Sequence, residues 1–370
     1  MILGIDGINI RGGGIVHLVN ILKFYDYKNS KFKKIIIWGN NEILSQIHND
    51  RIIKIHYPVF ENFFFLRIIW QIFLFKKEIK KKNCNILFNL SSYNLSFFKP
   101  SLTFYQNILP LDFDELKKYS LFYRVKFFFQ RILIFFSLKN SSHNLFPSYY
   151  ARDLIIKNKY TIRKKTSVIY HGAIIRFKRN FKKGIIKLIY VSTIDFYKNH
   201  DNVIKAISEL NALFDIELHI YGSTFKPCYN KLKNLFSITN KNKKIVKYLK
   251  VFDEKKNILN DKYDILIHAS SCESFGIPLI EGIASGLKVT CSNIQVFREM
   301  TRYFKVNYFD PKDISSIKNA IIKTINIKVN KKNNNIHLIK SNFSWKNCST
   351  STFALLEKIV YEKKRFINYS

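Results

Sequence analysis

Residues 263–293 read YDILIHASSCESFGIPLIEGIASGLKVTCSN. Ile265 to His268 is a short apolar run of the kind that forms a buried strand of a parallel sheet, and Ser270-Ser271-Cys272-Glu273 leads out of it into a loop. Pro278 suits the first turn of a helix, because it lacks only an N–H that would be unpaired there anyway. Gly286 suits a left-handed stop before the next apolar run, Lys288 to Ser292. Strand, loop, short helix and strand follow one another, the unit from which parallel sheets are built.

The same rhythm extends in both directions. Upstream, strands are expected at Ile2 to Gly7, Lys34 to Gly39, Ile52 to Tyr57, Ile86 to Asn89, Leu102 to Tyr105 and Asn144 to Pro147. After Lys164 it restarts, with strands at Ser167 to Tyr170, Lys187 to Ser192, Ile216 to Tyr221 and Ile245 to Lys250 ahead of the two already quoted. An α/β fold of two doubly wound domains follows, and 370 residues exceed what one core usually holds. The polar, basic run Thr161 to Lys165 reads as the linker, dividing the chain into 1–165 and 166–345. Phe353, Leu355, Leu356, Ile359 and Val360 mark a terminal amphipathic helix within 346–370 that packs back toward the N-terminal domain.

Composition narrows the partners. Lys plus Arg number 62 against 26 Asp plus Glu, a formal charge of +36, which favours nucleic acid, an anionic membrane or phosphorylated ligands. An AT-rich coding bias toward Lys, Asn and Ile would produce part of the same excess. No RNP, KH, zinc-finger or helix-turn-helix pattern is present, so nucleic acid is not the expected partner. The five cysteines are scattered, odd in number and without CxxC spacing, which fits free thiols in a reducing compartment and no zinc. The first residues read as a strand rather than a leader, so a cytoplasmic protein is expected. Phe63 to Phe75 contains Arg67, and Leu121 to Leu138 contains Arg124, Lys126 and Arg131. Neither suits a bilayer span, but both could lie on the cytoplasmic face of the inner membrane, or pack as ordinary amphipathic helices.

In doubly wound sheets ligands sit outside the carboxyl ends of the strands. There the backbone amides of Phe275, Gly276 and Ile277, at a helix start, can neutralise a diphosphate without a metal. Glu273, ahead of those amides, can reach a sugar hydroxyl, and Glu281, eight positions on, can accept bonds from a ribose diol. The competing reading makes Glu273 a capping acid and Glu281 a solvated surface residue. Arg11-Gly12-Gly13-Gly14 after the first strand is a second place where backbone can approach a ligand, or a flexible turn.

Glu273, Gly276, Pro278, Glu281 and Gly286 together resemble the E-x7-E signature of the family 4 glycosyltransferases, "glycosyl transferases group 1", whose fold is GT-B. Leu188 to His200 is similar to the strand and loop in which that family carries Lys-Asn. Weaker similarities lie at Val168 to Gly172, Ile220 to Ser223, Tyr308 to Pro311 and Phe343 to Trp345, so the likeness is broad in the second half of the chain. The resemblance implies two Rossmann-like domains facing each other across a cleft and retention of anomeric configuration without a metal cofactor. It implies Glu273 at the donor sugar, Glu281 at the ribose and Lys198 at the donor phosphates. Thr193 stands where the family has an Arg, so another cation substitutes or Lys198 and the amides suffice. Gly13 and Gly14 are implied to face the diphosphate. On the acceptor side Gln106 and Asn107 replace a frequent His-Asp pair, with His17 and His171 as possible substitutes, although a lone His is more often structural. In the front-face mechanism proposed for the family, the departing diphosphate takes the acceptor proton.

The expectation is therefore a retaining hexosyltransferase that moves a sugar from a nucleotide-diphosphate donor to a lipid-linked or oligosaccharide acceptor, in surface polysaccharide or lipopolysaccharide O-antigen synthesis. The alternatives are a nucleic-acid- or polyanion-binding protein, and a GT-B protein with epimerase activity or none.

Overall fold

A computed structural model describes residues 1–157, 165–175, 184–241, 245–249, 262–327 and 335–368. The chain forms two units: Met1–Leu111, Leu121–Gly172 and Ser344–Ser370 make the first, Asp112–Ser120 and Ala173–Phe343 the second. Each is an α/β unit around one parallel sheet.

The first sheet contains β1 (Ile2–Gly7), β2 (Lys34–Gly39), β3 (Ile52–His56), β4 (Ile86–Asn89), β5 (Ser101–Phe104), β6 (His143–Phe146) and β7 (Lys165–Val168), in the order β3-β2-β1-β4-β5-β6-β7. β4, β5 and β6 are buried along their whole length, as strands covered on both faces must be. The Trp345–Asn368 helix belongs to this unit. It packs on the Gly13–Lys23 helix, where Phe353 stacks on Tyr25 with centroids 3.6 Å apart and Ser349 Oγ donates to the Ile21 carbonyl at 2.7 Å.

The second sheet contains β8 (Ile186–Val191), β9 (Ile216–Tyr221), β10 (Val246–Leu249), β11 (Ile265–His268), β12 (Lys288–Ser292) and β13 (Asn307–Phe309), in the order β10-β9-β8-β11-β12-β13. Leu188, Leu218, Ile265 and Ile267 of its strands share a core with Val203 and Ile207 of the His200–Leu210 helix and with Ile317 and Ile321 of the Ile314–Ile325 helix. The direction of winding reverses between β8 and β11, and a reversal of that kind leaves room for a ligand outside the strand ends.

The expected division near 165 is corrected. Of Thr161 to Lys165, residues 161–164 lie outside the described residues, but Lys165 opens β7, whose ladder pairs Phe146 with Val168. That strand completes the first sheet instead of starting the second, so the boundary falls after Gly172. The close of the expected strand Ile245 to Lys250 lies outside the described residues. All five cysteines are buried and unbridged. Among the described residues no helix is long and apolar enough to cross a membrane.

Candidate donor site

Two loops leave the carboxyl ends of the neighbouring strands β8 and β11, and a short set of hydrogen bonds fixes one against the other. The Tyr197 carbonyl accepts from the Ser271 amide at 2.8 Å and from Ser271 Oγ at 3.1 Å. Asn199 is left-handed (φ 49°), a conformation Asn tolerates better than most residues. From there its Nδ2 donates to the Ala269 carbonyl at 2.8 Å and reaches Ser271 Oγ at 3.0 Å. The loops thus act as one rigid element carrying Lys198 and Glu273.

Lys198 Nζ donates to Glu273 Oε1, and Ser270 Oγ donates to the same oxygen at 3.1 Å. His268 Nε2 is 3.4 Å away, close enough to interact electrostatically but not a formed hydrogen bond. Burial alone would raise the Glu273 pKa; the adjoining Lys198 charge and His268 outweigh it and bring the carboxyl to about 2. Burial likewise works against the Lys198 ammonium, but Glu273 wins and its pKa moves up. Both groups are therefore ionised at neutral pH. Their surroundings are held neutral: burial lowers His268, and burial with the Lys198 charge lowers His200 to about 3. His200 stacks on Tyr190 at 4.5 Å, and Tyr190 OH donates to the Lys198 carbonyl at 2.6 Å. An ammonium has three donors, so Lys198 can hold Glu273 and still offer N–H groups to a phosphate.

The Ile277–Ala284 helix follows Glu273 directly. Gly276 is its N-cap, with φ 94° and ψ 58°, and no side chain caps the helix start. A Cβ at Gly276 would lie 2.7 Å from Phe297 Cε1, so both the conformation and the space require glycine. The side chains of Phe275 and Ile277 are buried, which limits any role of these residues toward a ligand to their backbone. Glu281 lies in the second turn, half-buried. A helix start that follows the Lys198–Glu273 pair within four residues suits an anion.

Thr193 is exposed and its Oγ1 pairs with Ser223 Oγ at 3.0 Å; it contributes no charge. Sequence reasoning missed the segment Asp112–Ser120, which lies between strands of the first sheet yet belongs to the second unit. Tyr119 OH donates to Asp195 Oδ1 at 2.6 Å, and its ring packs edge-on against Phe196 at 5.1 Å. Lys118 pairs with Glu115 at 2.6 Å and stands 3.5 Å from Asn199 Oδ1, a second cation at the Lys198 loop. His268 was also missed; only its place one strand end before Glu273 hinted at it.

In the first unit Gly13 and Gly14 open the Gly13–Lys23 helix after Gly12, whose φ is 47°. A Cβ on Gly14 would sit 3.6 Å from Gln106 Nε2, so two of the expected residues are neighbours. Ser92 Oγ accepts from the amides of both Gln106 and Asn107, at 3.2 and 3.3 Å. The expectation that His17 or His171 meets an acceptor is not met. Both are buried, their Nδ1 atoms 2.9 Å apart, and the His17 ring lies 4.7 Å from Phe104. Burial and His171 depress the His17 pKa well below the ordinary range, so the pair is neutral and structural.

Residues 173–338 match the model of the family described as glycosyl transferases group 1. A curated relative, the O-antigen chain mannosyltransferase RfbU of Salmonella typhimurium, is 30% identical over 192 residues, which are 52% of this chain and 53% of that protein. The match thus spans about half the length of that relative. Among solved structures, Anabaena HepE in complex with UDP and glucose superposes with a TM-score of 0.72 at 13% identity, covering 96% of this chain and 99% of that one. A glycosyltransferase from Rickettsia africae gives a TM-score of 0.66 at 17% identity over 97% and 98% of the two chains. At such identities the likeness establishes the fold, that of the GT-B glycosyltransferases.

Proposed function

We propose, for a chain whose residues 173–338 match the model of the glycosyl transferases group 1, that it moves a hexose-type sugar from a nucleotide-diphosphate donor to a lipid-linked glycan, with retention and without a metal. The observation that carries this reading is the Lys198–Glu273 pair beside an uncapped helix start, at the point where the second sheet reverses its winding. Lys198 and the amides of Phe275, Gly276 and Ile277 would hold the diphosphate and spread its charge as the sugar departs. Glu273 would orient the sugar hydroxyls and Glu281 the ribose diol. The C1–O bond to phosphate breaks, the C1–O bond to the acceptor forms, and the acceptor proton passes to the departing diphosphate. The missing Arg at Thr193 would be offset by Lys198, with Lys118 beside its loop.

The relative acts on O-antigen chains and HepE holds UDP and glucose, which favours surface-glycan assembly and a nucleotide-sugar donor. The site of action is then the cytoplasmic face of the inner membrane, with the chain attached peripherally. The direct test incubates the protein with each nucleotide sugar and a lipid-linked oligosaccharide in chelator and reads the anomeric configuration of the product by NMR. An inverted product, or a strict metal requirement, contradicts the mechanism; conversion of the free nucleotide-sugar without acceptor would make it an epimerase.

A further inference from the structure

The Leu121–Asn140 helix presents Leu121, Phe122, Val125, Phe128, Phe129, Ile132 and Phe136 to solvent, at the three-and-four spacing of a single face. Its opposite face buries Ile134, Phe135 and Leu138. Phe122 is 74% exposed, and the Phe64–Phe73 helix shows Phe65 and Phe73 at 73% and 65%. An apolar surface this continuous requires a partner.

At its end the same surface meets a basic cavity. Phe97, itself exposed, packs edge-on against Phe136 at 5.6 Å and lines an open cavity of about 430 Å³ together with Asn140 and Lys76, Lys80, Lys99 and Lys363. Lys76 and Lys80 are one turn apart on the Phe75–Lys81 helix, and Lys363 Nζ donates to the Lys99 carbonyl at 2.7 Å. No carboxylate lines the cavity, among the described residues.

We propose that this face seats on an anionic phospholipid bilayer, with the Phe122–Phe136 ridge among the acyl chains and a headgroup phosphate in the four-lysine cavity. Charge chooses the occupant. The Leu121–Asn140 helix has no acidic residue, so a second copy would set cation against cation. An anionic bilayer supplies both the charge and the hydrocarbon. The seat lies wholly in the first unit and stands whether or not the second unit transfers a sugar.

The test sediments the whole chain with vesicles of phosphatidylglycerol and phosphatidylcholine, and with phosphatidylcholine alone, at low and high salt. The native chain is expected to partition at least about tenfold more onto the anionic vesicles, less at high salt. Lys76→Glu with Lys80→Glu should remove that preference, and Phe128→Ser with Phe129→Ser should remove binding. All four side chains are exposed, so thermal melts should match the native chain. Equal binding to neutral vesicles, full binding by either variant, or no binding at all overturns the proposal. So does protection by glycerol 3-phosphate without vesicle binding, which would mark a site for free phosphate. A dimer dissolved by the Phe variant, seen in sedimentation velocity, would give the face to a second copy.

Discussion

Lys198, buried, and Glu273, half-buried, form an ion pair whose members arrive on different loops, one after β8 and one after β11. Each is held charged against burial chiefly by the other, with His268 also favouring the Glu273 carboxylate.

Removing one partner should therefore be worse than removing both. Lys198→Ala leaves a carboxylate with no counter-charge and should cost about 3 kcal/mol of stability. Lys198→Met combined with Glu273→Gln should cost less than that single change. Urea unfolding of the two variants measures the difference, and a double variant as unstable as the sum of its single changes would show that the pair is not coupled.

Asn199 gives a second prediction. Asn199→Ala should destabilise by about 2 kcal/mol, through a strained left-handed backbone and the loss of donation to the Ala269 carbonyl. Asn199→Gly should recover the strain portion only. Thermal melts that rank the Gly variant with or below Ala would remove the conformational part of this argument.

Stability should fall in mild acid. His171 and His200 sit at about 3 when folded against an ordinary 6.5, so below 6.5 the unfolded chain binds protons the folded chain refuses. Their contribution is complete above 6.5 and is lost progressively toward 3. Glu273 acts in the same direction between 4.5 and about 2. Asp6 opposes them: burial raises it to about 6 from 3.8, so the folded chain takes up that proton first. The histidines outnumber it, and a net loss of about 3 kcal/mol from pH 7 to pH 5 is expected. Urea midpoints at the two pH values decide, and an unchanged or rising midpoint contradicts the neutral, buried assignment.

The strands that sequence reading located best are those buried on both faces. Ile86 to Asn89 and Ile265 to His268 have the expected limits, because burial on both sides leaves an apolar run broken only at its last residue, where the loop begins. β7 begins at Lys165 and was placed late, and β13 was missed, because an edge strand needs little apolar character. Glu273, Gly276 and Glu281 were legible as a local arrangement of loop and helix start. The braces that fix them were not: Asn199 to Ala269, Tyr119 to Asp195 and His268 beside Glu273 depend on residues remote in sequence meeting at one sheet edge. The two readings of His17, acceptor-side or structural, stayed open in the sequence for the same reason, since only the fold shows it enclosed with His171 and Phe104.

The central claim is a metal-independent diphosphate-sugar site built on Lys198, Glu273 and the Ile277–Ala284 helix, and thermal protection tests it most directly. Nucleoside diphosphates and their sugars, in chelator, should raise the melting temperature of the native chain. At ~100-fold excess over Kd the stabilisation is about 2.7 kcal/mol. Glu281→Ala should abolish it while keeping the unliganded melt. Absence of protection across the nucleotide panel, or equal protection of Glu281→Ala, would contradict the account.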